Sequence, residues 1–163
     1  MSNVLSGLTS GLLAGAAGAT ALNAFTYAQQ AVRGTPSSAT PDQTAEAVLD
    51  AAGTEVPGNP DERQNRIEGL GPLGGYGVGV GVGALAGAIR ATGRKTPFWL
   101  GVTGVGLGAM AVSDSVMAAL GISDPRSWTP ASVAQDALPH LVYGAVTVLA
   151  LHRMIDPRTQ QVG

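Results

Sequence analysis

The sequence predicts an all-α integral membrane protein: a single membrane domain over residues 1–163, built as a bundle of about four glycine-rich transmembrane helices, with a short helical polar loop between the first two. Three observations point there. Only 12% of the residues are charged, against about 25% in soluble domains, while 45% are apolar and 24 are glycine. Aromatics, at 4%, are too few for a large water-soluble core. Glycine adds no side chain to bury, so burial against water is a weak driving force here. Finally, no Asp, Glu, Lys or Arg precedes Arg33, and residues 69–89, 96–113 and 137–151 also lack them. These gaps match the roughly 20 apolar residues that a helix needs to cross about 30 Å of hydrocarbon. The spans are read at about 4–28, 70–90, 98–120 and 132–153. A soluble protein with buried helices is the rival reading, because glycine and alanine leave the second and fourth spans only moderately hydrophobic.

In the first span, Gly7, Gly11, Gly15 and Ala19 form a row of small residues that ends in Asn23. A cleaved signal peptide is the competing assignment, but the start "MSNVLSGLTSG" lacks a positive leader and the run is long.

Residues 33–69 form the one sizeable polar segment, and two helix starts are legible in it. Thr40 with Pro41 and Gln43, and Asn59 with Pro60 and Glu62, both read as N-cap, N1 and N3 sets. The first helix runs to about Ala52, with Ala45, Val48, Leu49 and Ala52 as an apolar stripe for the bundle or the membrane surface. The second is short and leads into the next span, where Pro72 is expected to bend or break the chain.

The second span holds "GGYGVGVGVGALAGAI" at residues 74–89. Read as a strand, it leaves one face without side chains, and glycine weakens a strand interior. Read as a helix, it sorts Gly71, Gly75, Gly79, Gly83 and Gly87 into one row and Val78, Val82, Leu85 and Ile89 into a bulky stripe. In lipid the backbone must satisfy itself internally, and rows of small residues become packing surfaces. "GLGPLG" and "GVGLGA" match dinucleotide-binding patterns, but neither lies in a strand, turn and helix unit, and GxxxxGK[ST] does not occur. Gly77 and Gly81 add a second small patch, which suggests a central helix with neighbours on two sides.

The third span carries Gly101, Gly104, Gly108, Ala111 and Ser115 at heptad-like spacing, with Asp114 between two serines. The fourth has the shortest uncharged core and Asp136 in its first turns. Asp136, His140, Tyr143 and Thr147 stand at i, i+4, i+7 and i+11, on one helix face. Asn23, Tyr76, Asp114 and His140 all fall at a similar depth, which makes an intramembrane polar cluster the candidate site. Ionisable residues cost roughly 2.5 to 3.5 kcal/mol in a membrane on insertion scales, so they face the bundle interior or a water-filled cavity. Two roles stay open: hydrogen bonds that merely join helices, or a pH-sensitive transport or gating step through Asp114 and His140.

Other chemistry finds little support. The chain has no cysteine, so thiolate catalysis and cysteine zinc sites are excluded; no HExxH or GxSxG occurs, and no cofactor or metal is expected. A Ser113 or Ser115, His140 and Asp136 set can be assembled on paper, but nothing identifies the serine. His140 and His152 lie about 18 Å apart along one helix, too far to share a haem within one chain, though a haem between subunits stays open. A net charge of -2 gives no reason to expect nucleic acid as a partner.

The termini and the 90–97 loop share one side, with Arg90, Arg94, Lys95, Arg153 and Arg158, against Arg33, Arg63, Arg66 and Arg126 on the other. This bias favours cytoplasmic termini. Trp99 and Trp128 are placed as interfacial anchors.

"GLLAGAAGATALNAFTYAQQAVRG" and "LPHLVYGAVTVLALHRM" resemble the first and last spans of small uncharacterised bacterial membrane proteins, loosely those of the YagU-like inner-membrane family, over about a quarter of the chain. The resemblance implies a bacterial inner-membrane location and transfers no catalytic residues. The expected function is that of a non-enzymatic bundle subunit, whose glycine rows pack against copies of itself or other membrane subunits. The alternative is a small channel or proton-linked transporter using the Asp and His cluster.

Overall fold

The computed structural model describes residues 2–94 and 96–155. They form α1 (Ser2–Arg33), α2 (Thr40–Ala51), α3 (Pro60–Ala91), α4 (Phe98–Ala119) and α5 (Pro130–Ile155), with a 3-10 turn at Pro125–Ser127. No strand occurs among the described residues, so the alternating glycines of residues 74–89 are helical. All the helices but α2 are long and apolar enough to cross a membrane. At 1.5 Å per residue, α1 and α3 each reach about 48 Å, well beyond the hydrocarbon thickness of about 30 Å. Lys95 and Arg158, two of the five basic residues on the side of the termini, lie outside the described residues.

The helix ends follow local chemistry. The Asn59 side chain accepts from the Glu62 amide at 2.9 Å while Glu62 accepts from the Asn59 amide at 3.1 Å, closing the expected capping box at the start of α3. The start of α2 departs from expectation. Thr40 is already helical, Ala39 occupies the cap position without a side-chain bond, and the Thr40 amide turns to the Ser38 hydroxyl at 3.2 Å. Gly53 and Gly121 adopt φ of +64° and +72°, and the amides beyond them reach back to Leu49 and Met117 at 2.9 Å. Only glycine enters this left-handed closure without a Cβ penalty.

Pro72 does not break the chain. The short charged helix expected before it and the second span are one continuous helix, α3. Proline removes one donor, and the carbonyl left without it belongs to exposed Glu68, outside the charge-free stretch, where water can serve it.

The packing is built on small residues. α1 and α3 run antiparallel, with Gly7 against Gly87, Gly11 against Gly83 and Gly15 against Gly79. A Cβ added at Gly15 would lie 2.5 Å from the Gly79 carbonyl oxygen, and one at Gly83 would lie 2.6 Å from that of Gly11. The backbones therefore touch, as in small-xxx-small helix pairs in lipid. α4 and α5 pair in the same way, the backbone of Gly106 lying against His140 and that of Gly144 against Val102.

α1 also packs on α5, and α5 on α4, whereas α3 meets α4 and α5 only sparsely. The bundle is therefore an open series, α3, α1, α5, α4, with a loose seam where α3 returns to α4. α2 lies antiparallel along the start of α3, from Gly71 back to Arg63, with Ile67 fully buried and Arg63 bonded to Glu46 at 2.6 Å.

Large aliphatic side chains point outward: Leu5, Leu13, Leu85 and Leu100 are each more than 60% exposed, while Ala14, Ala19 and Ala109 are buried. Water-soluble domains have the reverse arrangement.

Candidate functional site

The seven polar residues expected to form one intramembrane cluster fall into three groups at different helix contacts. The first joins α1 to α3, where the Tyr76 hydroxyl faces the side chains of Asn23 and Thr20. The second sits where α1, α3 and α5 meet. Tyr143 donates to the Gly79 carbonyl at 2.6 Å, and Thr147 donates to that of Ala14 at 3.4 Å. Both side chains are buried. Gly18 makes room for them, since a Cβ there would lie 2.8 Å from the Tyr143 ring. Tyr143 and Thr147 therefore join helices.

The third group lies between α4 and α5. His140 Nδ1 is 2.8 Å from the Asp136 backbone carbonyl and 3.3 Å from the Asp136 carboxylate. A carbonyl oxygen can only accept, so Nδ1 carries a proton in this arrangement and Nε2 is the nitrogen at which the ring gains or loses one. Asp114 projects from α4 close enough to interact electrostatically with both Asp136 and His140. The His140 side chain is 12% exposed and that of Asp136 43%, so the pair runs from the helix interface toward open space.

That space is a cleft of about 910 Å³ between α2, α3, α4 and α5, at the α2 end of the bundle. It occupies the loose seam between α3 and α4. Its walls are Leu49 of α2, Leu70, Leu73 and Val78 of α3, and Met110 and Met117 of α4, with Trp128 beside the start of α5. Asp114 and Asp136 are its charged lining residues, and no Lys or Arg lines it among the described residues. Trp128 donates its indole N–H to Ser123 at 2.8 Å, which holds it in the wall. Ser113 also lines the cleft, while the Ser115 hydroxyl is engaged by the Ala111 carbonyl at 2.6 Å.

One glycine row of α3 serves three purposes in succession. Gly79, Gly83 and Gly87 seat α1, and Gly71 seats the start of α2, where a Cβ would lie 2.7 Å from the Pro41 backbone. Gly75, between them, lines the cleft, and a Cβ there meets nothing within 4 Å. Gly75, Gly104 and Gly108, expected to pack helices, do not do so within the chain: Gly104 and Gly108 also face open space. The buried face of α4 is instead Val102, Gly106, Ala109 and Met110. Gly77 and Gly81 are likewise open.

Gly106 and Gly144 are not among the packing positions expected from the sequence, whereas Ala45, Val48 and Leu49 of the expected α2 stripe line the cleft. The 102, 106, 109, 110 spacing was the available signal for Gly106, and it competed with an equally regular row of small residues at 104 and 108. No protein-family model, curated protein or solved structure matches the chain.

Proposed function

We propose that the protein is a small, non-enzymatic carrier or channel of the bacterial inner membrane, proton-linked through Asp114, Asp136 and His140, with cytoplasmic termini and the α2 end facing outward. The observation that carries this reading is the placement of the two carboxylates in an open, largely apolar cleft at the loosest helix seam, with a histidine hydrogen-bonded beside them. Ionisable residues in a membrane are costly, and in transport proteins they mark pathways and relays. The glycine rows of α1 and α3, which offered the main support for an assembly role, are occupied in holding one chain together. The inside-out distribution of large and small residues supports the membrane setting, and the resemblance to YagU-like proteins supports the bacterial inner membrane.

The test is proton flux into proteoliposomes carrying a pH-sensitive dye in the lumen. Flux above that of empty liposomes, lost in Asp114→Asn and reduced in His140→Ala, is the expected result. Wild-type flux in both variants would exclude the site as a relay.

A second reading, an oligomeric or accessory subunit, is favoured by the open faces at Gly77, Gly81, Gly104 and Gly108, which present small residues outward. Native mass spectrometry of the protein in nanodiscs, with and without Gly81→Leu, tests it. A discrete oligomer that dissociates in the variant supports this role, and a monomer in both removes it.

A further inference from the structure

We propose that the cleft between α2, α3, α4 and α5 binds an amphipathic organic cation, an apolar body carrying one ammonium or phosphonium charge. This rests on the reading of Asp114, Asp136 and His140 as the working site, and it names the class of substrate.

The volume, about 910 Å³, lies within the roughly 300–1,000 Å³ typical of small-molecule sites. Its walls are mainly aliphatic and thioether, so the body of the ligand must be apolar to gain from entering. Met110 and Met117 supply polarizable, adaptable surface that tolerates varied shapes. The charge of the ligand follows from the lining. Two carboxylates face the cleft and no Lys or Arg lines it among the described residues; a protonated His140, beside Asp136, offsets one of them, so one further positive charge balances the site when water is displaced. Trp128 adds an aromatic surface, with which organic cations associate more favourably than anions do.

Other occupants fit less well. A neutral lipid chain would fill the apolar walls but leave one carboxylate uncompensated, since His140 serves only the other. A bare divalent cation prefers six or more oxygen ligands gathered around it, whereas this cleft sets two carboxylates and scattered hydroxyls among mainly apolar walls. No group of three or more His, Cys, Asp or Glu side chains suited to a metal occurs among the described residues.

Gly75 makes the site testable without disturbing the fold. It lines the cleft, and a side chain added there has open space ahead of it. Gly75→Phe should therefore occupy the cavity while leaving the α1 to α3 seam intact.

The experiment uses the full chain with Trp99→Phe, so that Trp128 is the sole tryptophan, in phosphatidylcholine nanodiscs. Tetraphenylphosphonium and the shape-matched anion tetraphenylborate are titrated in turn, with empty nanodiscs subtracting partition into lipid. The expected result is saturable binding of the cation and none of the anion. Binding should weaken about tenfold or more in Asp114→Asn and in Asp136→Asn, and be lost in Gly75→Phe, with helical content unchanged by circular dichroism. Equal binding of cation and anion, or wild-type cation affinity in both Asn variants and in Gly75→Phe, would overturn the proposal. Proton flux without cation binding would also overturn it, while leaving the carrier reading in place. Cation binding without any flux would uphold this site and remove the carrier reading.

Discussion

The Tyr143 hydroxyl donates to the backbone carbonyl of Gly79 at 2.6 Å, 64 residues away in sequence, and so ties α5 to α3 across the face of α1. The tie is possible because Gly18 carries no side chain at that point: a Cβ there would lie 2.8 Å from the Tyr143 ring. Tyr143→Phe keeps the ring and removes the donor. Interhelical hydrogen bonds in membranes average about 0.6 kcal/mol and reach about 1.7. The expected loss of stability lies in that range, read by unfolding in mixed micelles, with cation binding at the cleft unchanged. A loss several times larger would mean that Tyr143 also orders the α5 end of the site.

Gly83 and Gly81 are two residues apart on one helix and should respond in opposite ways to the same methyl group. An added Cβ at Gly83 would lie 2.7 Å from the Gly15 amide nitrogen, whereas one at Gly81 meets nothing within 4 Å. Gly83→Ala should destabilise the bundle by about 1–3 kcal/mol, because the two backbones must separate. Gly81→Ala should be neutral, or stabilising by up to about 1 kcal/mol, through helix propensity. Thermal unfolding in detergent checks both. Equal effects would show that α1 does not rest on Gly83.

The contrast also shows what the sequence makes legible. Helix number and approximate bounds follow from charge-free runs, and the rows at Gly7, Gly11, Gly15 and at Gly79, Gly83, Gly87 follow from sorting by side-chain size. Whether a row meets another helix of the same chain depends on interhelical register, which periodicity on one helix does not encode. That is why Gly104 and Gly108 looked equivalent to Gly79 and Gly83 yet face open space, while Gly106 carries the α4 to α5 contact. The Asp136 and His140 pair was visible as an i, i+4 spacing on one helix. The cleft was not, because its walls come from residues 38–136, on helices whose separation no local pattern reports.

Orientation can be read by chemistry, since the chain contains no cysteine and any introduced thiol reports alone. Glu55→Cys lies between α2 and α3, and Thr92→Cys caps the far end of α3. With cytoplasmic termini, a membrane-impermeant maleimide applied to spheroplasts should label position 55 and leave position 92 unlabelled until the cells are lysed. The opposite pattern would invert the assignment and place the cleft at the cytoplasmic face, so that any cation would enter from inside.

Gly71 sets the position of α2 over the cleft. A Cβ at Gly71 would lie 2.8 Å from Asp42 Oδ1 and 2.8 Å from the Pro41 carbonyl oxygen, so a larger side chain must lift the start of α2 from α3. The other visible tie, the Glu46 to Arg63 ion pair, has both partners about 40% exposed and is worth at most about 1 kcal/mol, too little to hold α2 alone. Gly71→Leu should therefore raise hydrogen exchange across residues 40–51 while leaving α1 and the Gly79 to Gly87 stretch protected. Because Leu49, Val48 and Thr44 belong to the wall of the cleft, the same variant should also weaken tetraphenylphosphonium binding. Arg63→Gln, by comparison, should change exchange only slightly. If Gly71→Leu left residues 40–51 fully protected, α2 would have to be held by its apolar contacts around Ile67 alone.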